Sequence, residues 1–123
     1  MRIITIYLIS DLSHEELAAK FRQMLNIPLQ NQCPYIKEQE RDNLSLGGIY
    51  YCLESLGLFL NIIKNAGEAS LDESKNMWDY YVEVQDREDT LGKVGLLAIG
   101  KHILQICQKN GLKSEMDTDT TPS

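Results

Sequence analysis

The chain has 123 residues, 43% of them hydrophobic, and a formal charge of −6 at pH 7. That length fits one domain able to bury its own core, and the apolar content argues against chain-wide disorder. An acidic chain of pI about 4.8 repels phosphate backbones, which disfavours direct nucleic-acid binding and favours a partner with a basic surface.

Other classes are disfavoured as well. No apolar run reaches the roughly 18–20 residues that span a bilayer, and "IITIYLI" near the start reads as a buried strand. The first residues carry one Arg, with no long apolar region and no small-residue cleavage site, so no secretory signal is expected. Cys33, Cys52 and Cys107 are odd in number and have no CxxC spacing, which points away from a disulfide framework and from structural zinc. A cytoplasmic protein with reduced thiols, no cofactor and no metal is expected.

In chain order, "RIITIYLIS" (2–10) is a strand with two apolar faces, as in a covered sheet. The next segment starts a helix at a capping box, with Ser13 at the N-cap and Glu16 at N3; Leu12 and Leu17 complete a hydrophobic staple. Leu17, Phe21, Met24 and Leu25 share its apolar face, and Asn26 and Pro28 end it. His14, in the first turn, is expected to face solvent. Residues 29–48 are polar, with 35–41 an optional short strand.

"IYYCLES" (49–55) and "LFLNIIKN" (58–65) form a hairpin across Leu56-Gly57, and a loop follows to residue 76. "MWDYYVEVQD" (77–86) alternates cleanly. Trp78, Tyr80, Val82 and Val84 point to the core, and Asp79, Tyr81, Glu83 and Gln85 point away from it. A helix from about Thr90 to Asn110 follows, with Asp86, Glu88 and Asp89 at its positive end, Asp89 or Thr90 as cap and Asn110-Gly111 as C-terminal signal. Gly92, Gly95 and Gly100 would let it lie close to the sheet. His102 is expected to be a partly buried structural residue, Cys52 and Cys107 core thiols, and Cys33 exposed. The pattern predicts a single α+β domain over 1–111, a two-layer sandwich. Its order is β-α-β-β-β-α, with an antiparallel sheet of four to five strands and two helices on one face. Residues 112–123 are expected to be a disordered tail.

Catalytic constellations are missing: there is no GxSxG, no P-loop and no HExxH. The charge is concentrated instead. From Glu68 to Asp89 there are eight acids and two bases. Asp86, Glu88 and Asp89 are explained by the helix start. Glu54, Glu68, Asp72, Glu73, Asp79, Tyr81 and Glu83 remain as candidate partner-binding residues, the acids steering a basic partner and the Tyr ring supplying contact area.

The strand and capped helix "MRIITIYLISDLSHEELAAKFRQMLNIPL", followed by a meander and a last helix in a small acidic chain, resemble a bacterial immunity protein of contact-dependent growth inhibition and related polymorphic toxin systems. The resemblance covers roughly residues 1–111 in size, charge and layout. It implies a protein without catalytic activity that binds a cognate basic toxin domain, often a nuclease, with a ribonuclease favoured here, and occludes its active site. No residue carries over from the family. The alternative is a small-molecule-binding or enzymatic α+β domain with a pocket between sheet and helices, lined by His102, Tyr7 and Cys52.

Overall fold

The computed structural model describes residues 2–27, 50–55, 58–66, 70–117 and 121–122, with the backbone alone described for 50–55 and 121–122. In chain order these form β1 (Arg2–Ile9), α1 (His14–Met24), β2 (Tyr50–Ser55), β3 (Leu58–Lys64), a 3₁₀ turn (Glu73–Lys75), β4 (Tyr80–Asp86), α2 (Gly92–Lys109), β5 (Lys113–Met116) and β6 (Thr121–Pro122). The sheet runs β2-β3-β4-β1-β5, with β6 beside the start of β1, and every pairing is antiparallel. The fold is the expected α+β sandwich. The segment 35–41, the turn at 56–57 and Cys33 lie outside the described residues.

Alternation decides the layers. Ile4, Ile6 and Leu8 of β1 stand opposite Val84, Val82 and Tyr80 of β4, and Leu60 and Ile62 of β3 continue the same face. Leu17, Ala18 and Phe21 of α1 and Leu96, Ile103 and Cys107 of α2 cover it, so both helices share one core. Each large side chain fully buried there stabilises the fold by about 1.5–3 kcal/mol. α1 lies over β2 and β3, and α2 over β1 and β5.

The start of α1 and the C-terminal ends of both helices follow their sequence signals. Ser13 and Glu16 form the reciprocal capping box at 3.1 and 2.9 Å. The Ser13 amide, and after it the Ser13 side chain, hold the Glu16 carboxyl below its ordinary pKa. α1 ends in a Schellman motif, with Asn26 at φ 59° and the Ile27 amide donating to the Arg22 carbonyl. α2 ends the same way through Gly111 at φ 78°, with the Leu112 amide on the Cys107 carbonyl. Of the three glycines in α2, Gly100 is the one that meets the sheet: a Cβ there would fall 2.9 Å from Ile4 Cδ1 and from Met116 Sδ.

Four expectations are corrected. The tail is not wholly disordered, because β5 and β6 pair with the free edge of β1 and the Asp117 amide donates to the Thr5 carbonyl. An edge strand is held by main-chain hydrogen bonds, so "KSEM" needs little apolar content; Leu112 and Met116 supply what there is. Neither Asp89 nor Thr90 caps α2. The buried Asp86 carboxylate instead accepts from the Thr90 and Leu91 amides at 3.1 and 2.8 Å, while Asp89, at φ 52°, pairs with Arg2 at 2.8 Å. His14 does not face solvent: its Nε2 donates to the Ile62 carbonyl at 2.6 Å, beside the Tyr80 ring. His102, by contrast, is exposed.

Candidate functional site

Strand direction brings separate segments to one end of the sheet. β3 leaves and β4 enters there, with Lys64 opposite Tyr80; β1 leaves there, with Leu8 opposite Tyr80. The β3–β4 loop therefore lies beside the turn from β1 into α1. Asp79 joins the two, its amide donating to the Leu8 carbonyl and its carboxylate accepting from the Ser10 amide, both at 2.9 Å. Asp79 and Glu16 both act on the Tyr80 hydroxyl, whose pKa is raised by burial and then by these two charges.

The described part of the loop is built on Asn65. Its amide nitrogen donates to the Lys75 and Trp78 carbonyls at 3.2 and 2.7 Å, and its oxygen accepts from the Leu71 amide at 2.7 Å. Lys75 folds onto the sheet, with Nζ 2.7 Å from the Tyr7 hydroxyl and 4.7 Å from the ring centroid. That hydrogen bond is the main cause of its raised pKa. Trp78 stacks on Tyr7 at 5.9 Å between centroids. This corrects the expectation that Trp78 shares a face with Tyr80. Trp78 lies before β4 begins, so strand alternation does not apply to it, and its partner Tyr7 stands opposite Tyr81 on the second face of the sheet.

The sequence-derived candidates are not all brought together. Asp72, Glu73 and Asp79 are exposed at this end. Tyr81 and Glu83 lie farther along β4 on the second face and are half-buried, not on a freely solvated row. Burial, and then the Glu83 charge, push the Tyr81 hydroxyl to about 12; burial also raises the Glu83 carboxyl. Glu54 is placed only by register, opposite Phe59 in β3, and Glu68 lies outside the described residues. In the other direction, exposed Asp11, Glu15 and Glu16 join the acidic end, although none was a candidate from the sequence and Glu16 had only a helix-capping role. The β1–β4 pairing was the missing information. Lys20, which shares hollows with Asp11 and Glu16, and Lys64, Lys75 and Lys113 are the bases near this end in the described structure, so six carboxylates face four bases there.

No protein-family model, curated protein or solved structure matches the chain.

A concavity of about 360 Å³ lies between the end of α1, β3 and α2, lined by Met24, Ile27, Leu58, Leu60, His102 and Ile106 among others. Of the three residues expected to line a pocket, His102 is there. Tyr7 is on the opposite face of the sheet, and the Cys52 side chain lies outside the description. Burial raises the Cys107 thiol to about 12, so it is inert as a nucleophile at neutral pH. No group of three or more His, Cys, Asp or Glu side chains among the described residues is placed to hold a metal ion. No helix among them is long and apolar enough to cross a membrane.

Proposed function

We propose that the chain is a non-catalytic, cytoplasmic binding protein of the immunity type. In this reading it neutralises a cognate basic toxin domain, a nuclease with a ribonuclease favoured, by laying its acidic end over the active site. The observation that carries this reading is the convergence of Asp11, Glu15 and Glu16 with Asp72, Glu73 and Asp79 at one end of the sheet. A nuclease site is built to receive phosphates, and carboxylates on a rigid scaffold offer it the same sign of charge. The bonds of Asn65 fix part of the loop before binding, which lowers the entropy lost on association.

The test is co-expression with the basic C-terminal domain of a toxin encoded beside this chain. A stable complex on size-exclusion chromatography and rescued growth support the proposal; toxicity unchanged with both proteins expressed overturns it.

The groove beside His102 favours a second reading, a small-molecule site, because its volume and largely apolar wall suit a small apolar ligand. Saturable binding of small apolar ligands that shifts the His102 resonances, together with no toxin complex, would favour it.

A further inference from the structure

A lysine stands among the carboxylates of the acidic end, where its charge works against a basic partner, and the fold turns it inward. Asp72 and Glu73 are exposed, whereas Lys75, in the same 3₁₀ turn as Glu73, is half-buried. Its ammonium donates to the Tyr7 hydroxyl at 2.7 Å and lies 4.7 Å from the centre of the Tyr7 ring. The Tyr7 hydroxyl donates in turn, at a long 3.4 Å, to the Asp117 carboxylate. The Asp117 amide is itself fixed on the Thr5 carbonyl at 2.9 Å. Ammonium, phenol and carboxylate thus form one chain of donors and acceptors, from the β3–β4 loop across β1 to the residue after β5. The Tyr7 bond is the first cause that favours the ammonium form of Lys75; the charges of Asp117 and Asp72 add to it, against the cost of desolvation.

The loop has two kinds of tether. Asn65 binds it to itself, through Leu71, Lys75 and Trp78. Lys75 and Trp78 bind it to the sheet, and both do so on Tyr7, which is buried at 7% exposed. The backbone transmits that hold to the carboxylates. The Lys75 amide donates to the Asp72 carbonyl at 2.8 Å, and the Trp78 amide donates to the Lys75 carbonyl at 3.2 Å. Fixing Lys75 therefore fixes the turn that carries Asp72 and Glu73. A lysine serving only as surface charge keeps its rotamer freedom in water, and this one gives it up.

We propose that Lys75 is a positioning residue of the acidic end: by closing on Tyr7 it holds Asp72 and Glu73 in the arrangement that meets a basic partner. The proposal rests on the reading of this end as the partner-binding surface. It predicts a sign that charge alone reverses. Neutralising Lys75 removes a base that opposes a basic partner, so electrostatics alone tightens binding. If Lys75 positions the turn, neutralising it weakens binding, because ordering the loop then opposes association. Tyr7→Phe removes the acceptor of the Lys75 bond without changing any charge, and it is expected to act in the same direction as Lys75→Met.

The test compares the native chain with Lys75→Met and Tyr7→Phe, first free and then with the basic C-terminal domain of the toxin encoded beside this chain. In both free variants the Lys75 and Trp78 amides are expected to exchange about fivefold or more faster, relative to the amides of β1. The emission of Trp78, the one tryptophan of the chain, is expected to shift with them. From the toxin domain both variants are expected to dissociate about fivefold or more faster, and Tyr7→Phe is expected to keep the native salt dependence of association. Native amide exchange in both variants overturns the latch, whatever the toxin domain does. Faster exchange with native or slower dissociation reduces Lys75 to a structural tether and overturns its positioning role. If the native chain itself forms no complex, the reading of the acidic end fails and the positioning role falls with it, while amide exchange still decides whether the latch exists.

Discussion

The side-chain amide of Asn65 donates to the Trp78 carbonyl at 2.7 Å, tying the exit of β3 to the approach to β4. With its bonds to Lys75 and Leu71, this one side chain satisfies three backbone groups that no strand or helix satisfies. Asn65→Ala is expected to destabilise the chain by about 2–3 kcal/mol at roughly 1 kcal/mol per bond, read as a lower urea midpoint with an unchanged m-value. The same variant is expected to bind its partner more weakly, through a loop no longer ordered in advance.

Asp86 is the second residue whose role is local and large. It is 3% exposed, and its two carboxylate oxygens take the Thr90 and Leu91 amides ahead of α2. Asp86→Ala is expected to cost about 2 kcal/mol, at the upper end for a lost cap because the amides are left partly buried. Asp86→Asn keeps an acceptor and is expected to recover part of that loss. Equilibrium denaturation of the pair checks both.

Truncation after Gly111 removes β5, β6 and the buried Leu112. It strips one edge of β1 of its partners and uncovers Ile6 and Leu8, which lie next to Met116 and Ser114 in the ladder. The shortened chain is expected to have a lower melting temperature and to self-associate through the bared edge. A dispensable tail would leave both properties unchanged.

His14 sets a pH dependence of known sign. Burial lowers its pKa, and the bond from Nε2 to the Ile62 carbonyl only partly opposes this. The folded state therefore binds fewer protons than the unfolded state just below the ordinary histidine value of about 6.5. The His14 contribution is complete above that value and is lost as pH falls through the folded pKa. Between pH 7.5 and 5.5 the native chain is expected to lose more stability than His14→Gln. Parallel pH profiles of the two would contradict the burial of this ring.

The framework was legible where local chemistry decides it. The capping box at Ser13 and Glu16, the end signals at Asn26 and Gly111 and the alternation from Tyr80 to Gln85 are local patterns, and the structure reproduces them. What was not legible depends on contacts between distant segments. His14 reads as a surface residue until β3 is placed beneath it. Trp78 is buried as expected, but it reads as part of the face under the helices until the loop places it on Tyr7 on the other face. "KSEM" reads as a polar tail because an edge strand is chosen by the free edge of its neighbour and not by its own side chains. The candidate site followed the same rule: Asp72, Glu73 and Asp79 came from a charge run, but Asp11 and Glu15 joined them only through the antiparallel pairing of β1 with β4.

Salt-dependent association with the proposed toxin partner is the decisive test of the acidic end. Asp11, Asp72 and Glu73 are exposed, and no side-chain bond in the described structure depends on them, unlike Glu16 at the cap or Asp79 on the Ser10 amide. The triple variant Asp11→Asn, Asp72→Asn, Glu73→Gln is expected to keep its folding stability within about 0.5 kcal/mol. Stopped-flow association at several salt concentrations should show a rate reduced about tenfold or more at low salt, with a shallower salt dependence than the native chain. Native rates and native salt dependence in the triple variant would contradict binding through this end.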